Sequence, residues 1–124
     1  MPRTTTETGY DESWAEISWA GNVPEVSPAW TEQNQDDIRL IDIREADELA
    51  GKLGHIPEVE HIPMGELADR AADWERDQKI VLLCRSGGRS GRAANQLRKL
   101  GFTRVASMAG GMIQWNDEAR PSTA

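Results

Sequence analysis

Cysteine occurs once in this 124-residue chain, at Cys84, and histidine only twice, at His55 and His61. A single thiol excludes an internal disulfide and any multi-cysteine metal site, and two histidines are too few to build a metal centre around. No apolar run approaches the roughly 20 residues of a membrane-spanning helix, so no membrane partner is expected. The opening Met1-Pro2-Arg3-Thr4-Thr5-Thr6-Glu7 lacks the apolar core of a signal peptide and points to a cytoplasmic protein. Basic residues are outnumbered 14 to 21, for a net charge of −7, which argues against nucleic acid as a partner. The most local absence is the most telling. From Gln78 through Asn116 there is no Asp or Glu, yet Lys79, Arg85, Arg89, Arg92, Arg98, Lys99 and Arg104 all stand there. An acidic protein that keeps the segment around its one thiol free of carboxylates is suited to receive a small anion. For Arg92, Arg98 and Lys99 the competing account is simple charge balance across the fold.

What is present fits one domain. Residues 1–20 are rich in Thr, Glu and Asp without a sustained period, and read as a tail; Trp14 and Trp19 are too apolar for solvent, so part of it packs on the domain. Residues 21–118 form the domain proper and 119–124 a C-terminal tail. Val23–Val26 reads as an edge strand that tolerates Pro24, and Ser27-Pro28 as the cap and first residue of a helix. Further strands are expected over 38–43, 59–62, 79–83 and 102–108. Helices are expected over 45–50 and 65–77, from near Ser90 to Leu100 with Gly101 as a left-handed cap, and around Ile113 and Trp115. Strands alternating with helices predict an α/β domain with a mainly parallel sheet, whose ligands bind beyond the carboxyl ends of the strands.

Cys84-Arg85-Ser86-Gly87-Gly88-Arg89 lies at such an end, between the apolar run Ile80–Leu83 and the helix near Ser90. Free backbone N–H groups and the positive end of a helix meet there, and both favour a thiolate. Two glycines let the chain curl so that several N–H groups aim at one point. Arg85 and Arg89 add fixed positive charge. The segment reads as a cysteine nucleophile in an anion cradle, against the plainer account of Cys84 as a small buried hydrophobe.

Four blocks in order make the chain resemble a single-domain rhodanese, a thiosulfate sulfurtransferase. They are Leu40-Ile41-Asp42-Ile43-Arg44-Glu45; Gly54-His55-Ile56-Pro57 with His61-Ile62-Pro63; Cys84 to Ser90; and Leu100-Gly101-Phe102 with Gly110-Gly111 and Trp115. The resemblance implies a three-layer α/β/α fold around a five-stranded, mainly parallel sheet, and Cys84 as the residue that becomes a persulfide. It further implies a small anionic sulfur donor and an external acceptor: cyanide, a thiol or a sulfur-acceptor protein. On this reading Arg85 and Arg89 bind the donor's anionic part, backbone N–H groups from Arg85 through Gly87 and Gly88 to Ser90 hold the sulfur, and the hydroxyls of Ser86 and Ser90 assist. Asp42 and Arg44 either pair to steady the loop or touch substrate, while His55 and His61, each before an Ile-Pro, support turns, with acid–base work the less favoured alternative. No cofactor and no metal is called for.

Cys84 and Arg89 are spaced C-x4-R, one residue shorter than the C-x5-R of cysteine phosphatases on the same fold. A tighter loop suits one sulfur atom better than a tetrahedral phosphate. A phosphatase or arsenate reductase is therefore the less favoured alternative, and a persulfide-carrier module with little activity of its own remains a second one.

Overall fold

A strand made only of large apolar residues is stable where both of its faces are covered, and Ile80–Leu83 lies inside the sheet with all four residues buried. The computed structural model describes residues 9–124; the first eight residues of the Thr-rich tail, and the leader reading that rests on them, lie outside the described residues. In chain order the elements are β1 (Ser18–Ala20), β2 (Val23–Val26), α1 (Pro28–Gln33), a 3-10 turn (Gln35–Asp37), β3 (Arg39–Asp42), α2 (Ala46–Leu49), β4 (Glu60–His61), α3 (Met64–Ala71), β5 (Ile80–Leu83), α4 (Gly88–Lys99), β6 (Val105–Met108) and α5 (Gly111–Asp117).

The sheet runs β1-β2-β6-β5-β3-β4, parallel throughout except for the antiparallel β1–β2 pair. Successive residues of β5 point to opposite faces, and the packing follows. Ile80 and Leu82 join Leu67 and Ala71 of α3 and Ala93, Ala94 and Leu97 of α4. Val81 and Leu83 join Trp30 of α1 and Met112 and Trp115 of α5. These are the three expected layers. Ser27 caps α1 as read, its hydroxyl accepting from Trp30 N–H at 3.0 Å.

The sheet has six strands among the described residues, where five were expected, and β2 is not the edge. The extra strand, β1, is exposed at all three residues and so carries no apolar alternation to betray it. It is held by pairing across the two-residue turn Gly21-Asn22, with Gly21 at φ +61°. Such a turn favours a residue that accepts a positive φ. Other residues from the stretch read as a tail also enter the domain. Tyr10 is 3% exposed and donates to the Val105 carbonyl at 2.9 Å, and Trp14 meets Trp30 edge-on. At the other end, Thr123 exchanges backbone hydrogen bonds with His55.

Candidate active site

Cys84 is the first residue past β5, and its side chain belongs to the core under α3 and α4. Gly87, at φ +107°, turns the chain so sharply that α4 begins at Gly88, two residues before the expected start. Arg89 and Ser90 therefore sit in the first turn of a helix, with its free N–H groups directed at the thiol. Cys84 Sγ accepts from Gly87 N–H at 3.1 Å, from Ser90 N–H at 3.4 Å and from the Ser90 hydroxyl at 3.4 Å. Burial opposes ionisation of this thiol more than any single contact favours it. The Ser90 hydroxyl and the N–H groups of Ser90, Gly87 and Ser86 together outweigh burial and hold the pKa below the ordinary thiol value.

Beneath Ser90 lies a residue that sequence reasoning missed. Ser107 of β6 is fully buried and its Oγ is 2.7 Å from Ser90 Oγ. A hydroxyl in a strand whose other residues are Val, Ala and Met was the available signal, since a buried polar group needs a partner. The pair lets Ser90 remain hydrogen-bonded while it turns its proton toward sulfur.

The two loop arginines have different fates. Arg85 is exposed, as is Ser86, and among the described residues its side chain makes no ion pair or hydrogen bond. Arg89 instead forms a two-pronged pair with Glu48 of α2, both N–O distances being 2.8 Å. Glu48 also closes a capping box, accepting from Glu45 N–H at 2.9 Å. Hydrogen bonding from Arg89, opposed by burial, holds the Glu48 pKa at about 2, and the same contact raises that of Arg89. Glu48 was the second residue missed. Its signal was Glu45-x-x-Glu48 at a helix start, which announces a cap but not a partner 41 residues away.

Asp42 and Arg44 form a buried ion pair at 2.7 Å, with side chains 0% and 1% exposed. Arg44 also donates to the carbonyls of Gly54 and Glu48, at 2.8 and 3.2 Å. The pair thus ties the end of β3 to α2 and to the Gly54 turn, and among the described residues neither side chain hydrogen-bonds to Cys84. His61 Nε2 lies 2.6 Å from the Arg44 carbonyl and His55 Nδ1 3.2 Å from that of Leu49.

The floor of the loop is made by Gly110-Gly111. Met112 N–H donates to the Cys84 carbonyl at 2.9 Å, and Ile113 N–H to the Arg85 carbonyl at 3.0 Å. A Cβ on Gly111 would stand 2.5 Å from Cys84 O and 2.6 Å from Arg85 O. Only glycine lets the start of α5 approach the backbone of Cys84 and Arg85 this closely. The whole arrangement favours the thiolate form of Cys84 and supplies donors for charge that develops next to it.

Residues 27–118 match the family model described as "Rhodanese-like domain". A sulfurtransferase of Allochromatium vinosum is 36% identical over 89 residues, covering 72% of this chain and 81% of its own. YrkF of Bacillus subtilis, provisionally named a sulfur carrier protein, is 36% identical over 99 residues, covering 77% of this chain, which spans only 52% of YrkF. The crystal structure of a rhodanese-related protein from Thermoplasma volcanium superposes with a TM-score of 0.70 at 30% identity, covering 80% of this chain and 96% of that one. Among the described residues no helix is long and apolar enough to cross a membrane.

Proposed function

Because the chain belongs to the rhodanese-like domain family, we propose that it transfers sulfane sulfur through a persulfide on Cys84, from a small donor to an acceptor outside the chain. The observation that carries this reading is the convergence of Gly87 N–H, Ser90 N–H and the Ser90 hydroxyl on Cys84 Sγ.

In the loading step the Cys84 thiolate attacks the outer sulfur of thiosulfate. The new Sγ–S bond forms as the old S–S bond breaks, and sulfite leaves with the electron pair. No general base is called for, since the donors around Sγ favour the thiolate. The N–H groups around Sγ then face the charge of the bound persulfide. Arg85, exposed and unpaired among the described residues, is the cation of the loop open to the donor's anionic end. In the unloading step a thiolate or cyanide attacks the outer sulfur of the persulfide, and Cys84 leaves as the thiolate. Cys84 is the only cysteine, so the chain cannot resolve its own persulfide. That favours, as a second reading, a carrier that holds sulfur until a partner protein collects it.

The test is intact mass after treatment with thiosulfate or with an organic persulfide. One added sulfur, removed by a reductant and absent from Cys84→Ser, is expected. A purified Cys84→Ser protein that still loads or transfers sulfur refutes the assignment. Cyanide-dependent turnover separates enzyme from carrier: a carrier loads from a partner desulfurase but turns over thiosulfate poorly.

A further inference from the structure

The cradle holds a carboxylate where an anion-binding site would be expected to hold none. Glu48 occupies both terminal nitrogens of Arg89 at 2.8 Å, and the pair is only partly exposed, at 33% for Arg89 and 27% for Glu48. Arg89 stands in the first turn of α4, next to Ser90 and close enough to Cys84 and Asp42 for both to act on its charge. Its positive charge is therefore largely cancelled before any donor arrives. The carboxylate is ionised throughout the neutral range, because Arg89 keeps its pKa at about 2.

Resting on the sulfur-transfer reading above, we propose that Glu48 is a specificity-determining residue: by occupying Arg89 it disfavours doubly charged donors such as thiosulfate relative to organic hydropersulfides. The two loading reactions differ in the charge brought together. With thiosulfate, a thiolate and a dianion meet and leave as a persulfide anion and sulfite dianion, three negative charges in all. With an organic hydropersulfide, R–S–SH, the thiolate attacks the terminal sulfur and R–S⁻ departs with the electron pair. The proton stays on the transferred sulfur, and only one negative charge is in play. A fixed carboxylate on the guanidinium of Arg89, in the first turn of the helix that faces Cys84, penalises the first reaction more, since Coulomb energy scales with the product of charges.

Glu48→Gln isolates this effect. The amide oxygen still accepts from Glu45 N–H, so α2 keeps its cap, and one arm of Arg89 is released together with the loss of one negative charge. The measurement is the ratio of kcat/KM for thiosulfate to that for a small-thiol hydropersulfide, because changes in Cys84 reactivity common to both donors cancel. The ratio should rise about tenfold, the scale of one recovered charge-assisted hydrogen bond. Glu48→Asp keeps the charge but retracts it by one methylene, and should give an intermediate ratio. An unchanged or lower ratio in Glu48→Gln overturns the inference while leaving sulfur transfer intact. If neither donor loads the parent protein, it is the sulfur-transfer reading itself that fails.

Discussion

Replacing Gly111 by Ala separates two costs that glycine usually conceals together. Gly111 and Gly21 have nearly the same left-handed backbone, with φ at +57° and +61°, but a Cβ at Gly21 meets nothing within 4 Å. Gly21→Ala therefore reports the conformational penalty alone, about 1–2 kcal/mol, reduced by roughly 0.4–1 kcal/mol because alanine narrows the unfolded ensemble. At Gly111 the added carbon lies 2.5, 2.6 and 2.7 Å from Cys84 O, Arg85 O and Arg85 C, all backbone atoms of the Cys84 loop. No rotamer change relieves that contact. The loop and the start of α5 must separate, which strains or breaks the bonds from Met112 N–H and Ile113 N–H. Met112 is buried and Ile113 half-buried, and leaving a buried donor unsatisfied costs about 1–3 kcal/mol, so Gly111→Ala should destabilise by about 2–5 kcal/mol, against about 0–1.6 kcal/mol for Gly21→Ala. Urea denaturation followed by circular dichroism gives both values, and alkylation of Cys84 in folded protein shows whether the loop has moved. Equal losses at the two positions would refute the argument that close backbone approach, and not backbone conformation, requires Gly111.

Two further outcomes follow from the site. Ser90→Ala removes a donor that favours the thiolate, so the inflection in Cys84 alkylation rate against pH should move upward, toward the free-thiol value of about 8.5; an unmoved inflection would show that the backbone N–H groups alone set it. The sign for stability follows from the same shift: a depressed thiol pKa stabilises the fold fully above the unfolded value, and that contribution fades as pH falls through the folded value, over a narrower span in Ser90→Ala than in the parent. Asp42→Asn leaves Arg44 buried without its counter-charge and should cost about 3–5 kcal/mol; a loss under about 1 kcal/mol in urea denaturation would mean that the carbonyls of Gly54 and Glu48 suffice to hold Arg44.

The local elements were legible where a single segment carries its own physics. Ile80–Leu83 is apolar enough to demand burial on both faces, and it lies within the sheet. Of the apolar stripe Ala93, Ala94, Leu97 and Leu100, the first three form the buried face of α4, while Leu100, at the helix end where the face turns outward, is 44% exposed; Gly101, at φ +99°, ends the helix as expected. Cys84 at the carboxyl end of a strand, with Gly87 and Gly88 close behind it, was enough to place its sulfur among loop donors, and the N–H groups of Gly87 and Ser90 and the Ser90 hydroxyl surround it. β1 was not legible from periodicity, because a short edge strand with every residue exposed has no hydrophobic pattern, and only the Gly21-Asn22 turn hinted at it.

What the tertiary structure alone decided is which charges face one another. The sequence places Arg85 and Arg89 alike, one on each side of the glycines, and nothing in their spacing distinguishes them. Folding leaves Arg85 in solvent and brings Arg89 against Glu48, because parallel pairing of β3 with β5 sets the loops after both strands side by side at one edge of the sheet. Ser107 reaches Ser90 in the same way, through the pairing of β5 with β6. Hydrophobic periodicity is a property of neighbours in the chain and can be read along it. A hydrogen bond or ion pair between residues 17 or 41 positions apart depends on strand order, which the sequence constrains only through the sum of all its packing.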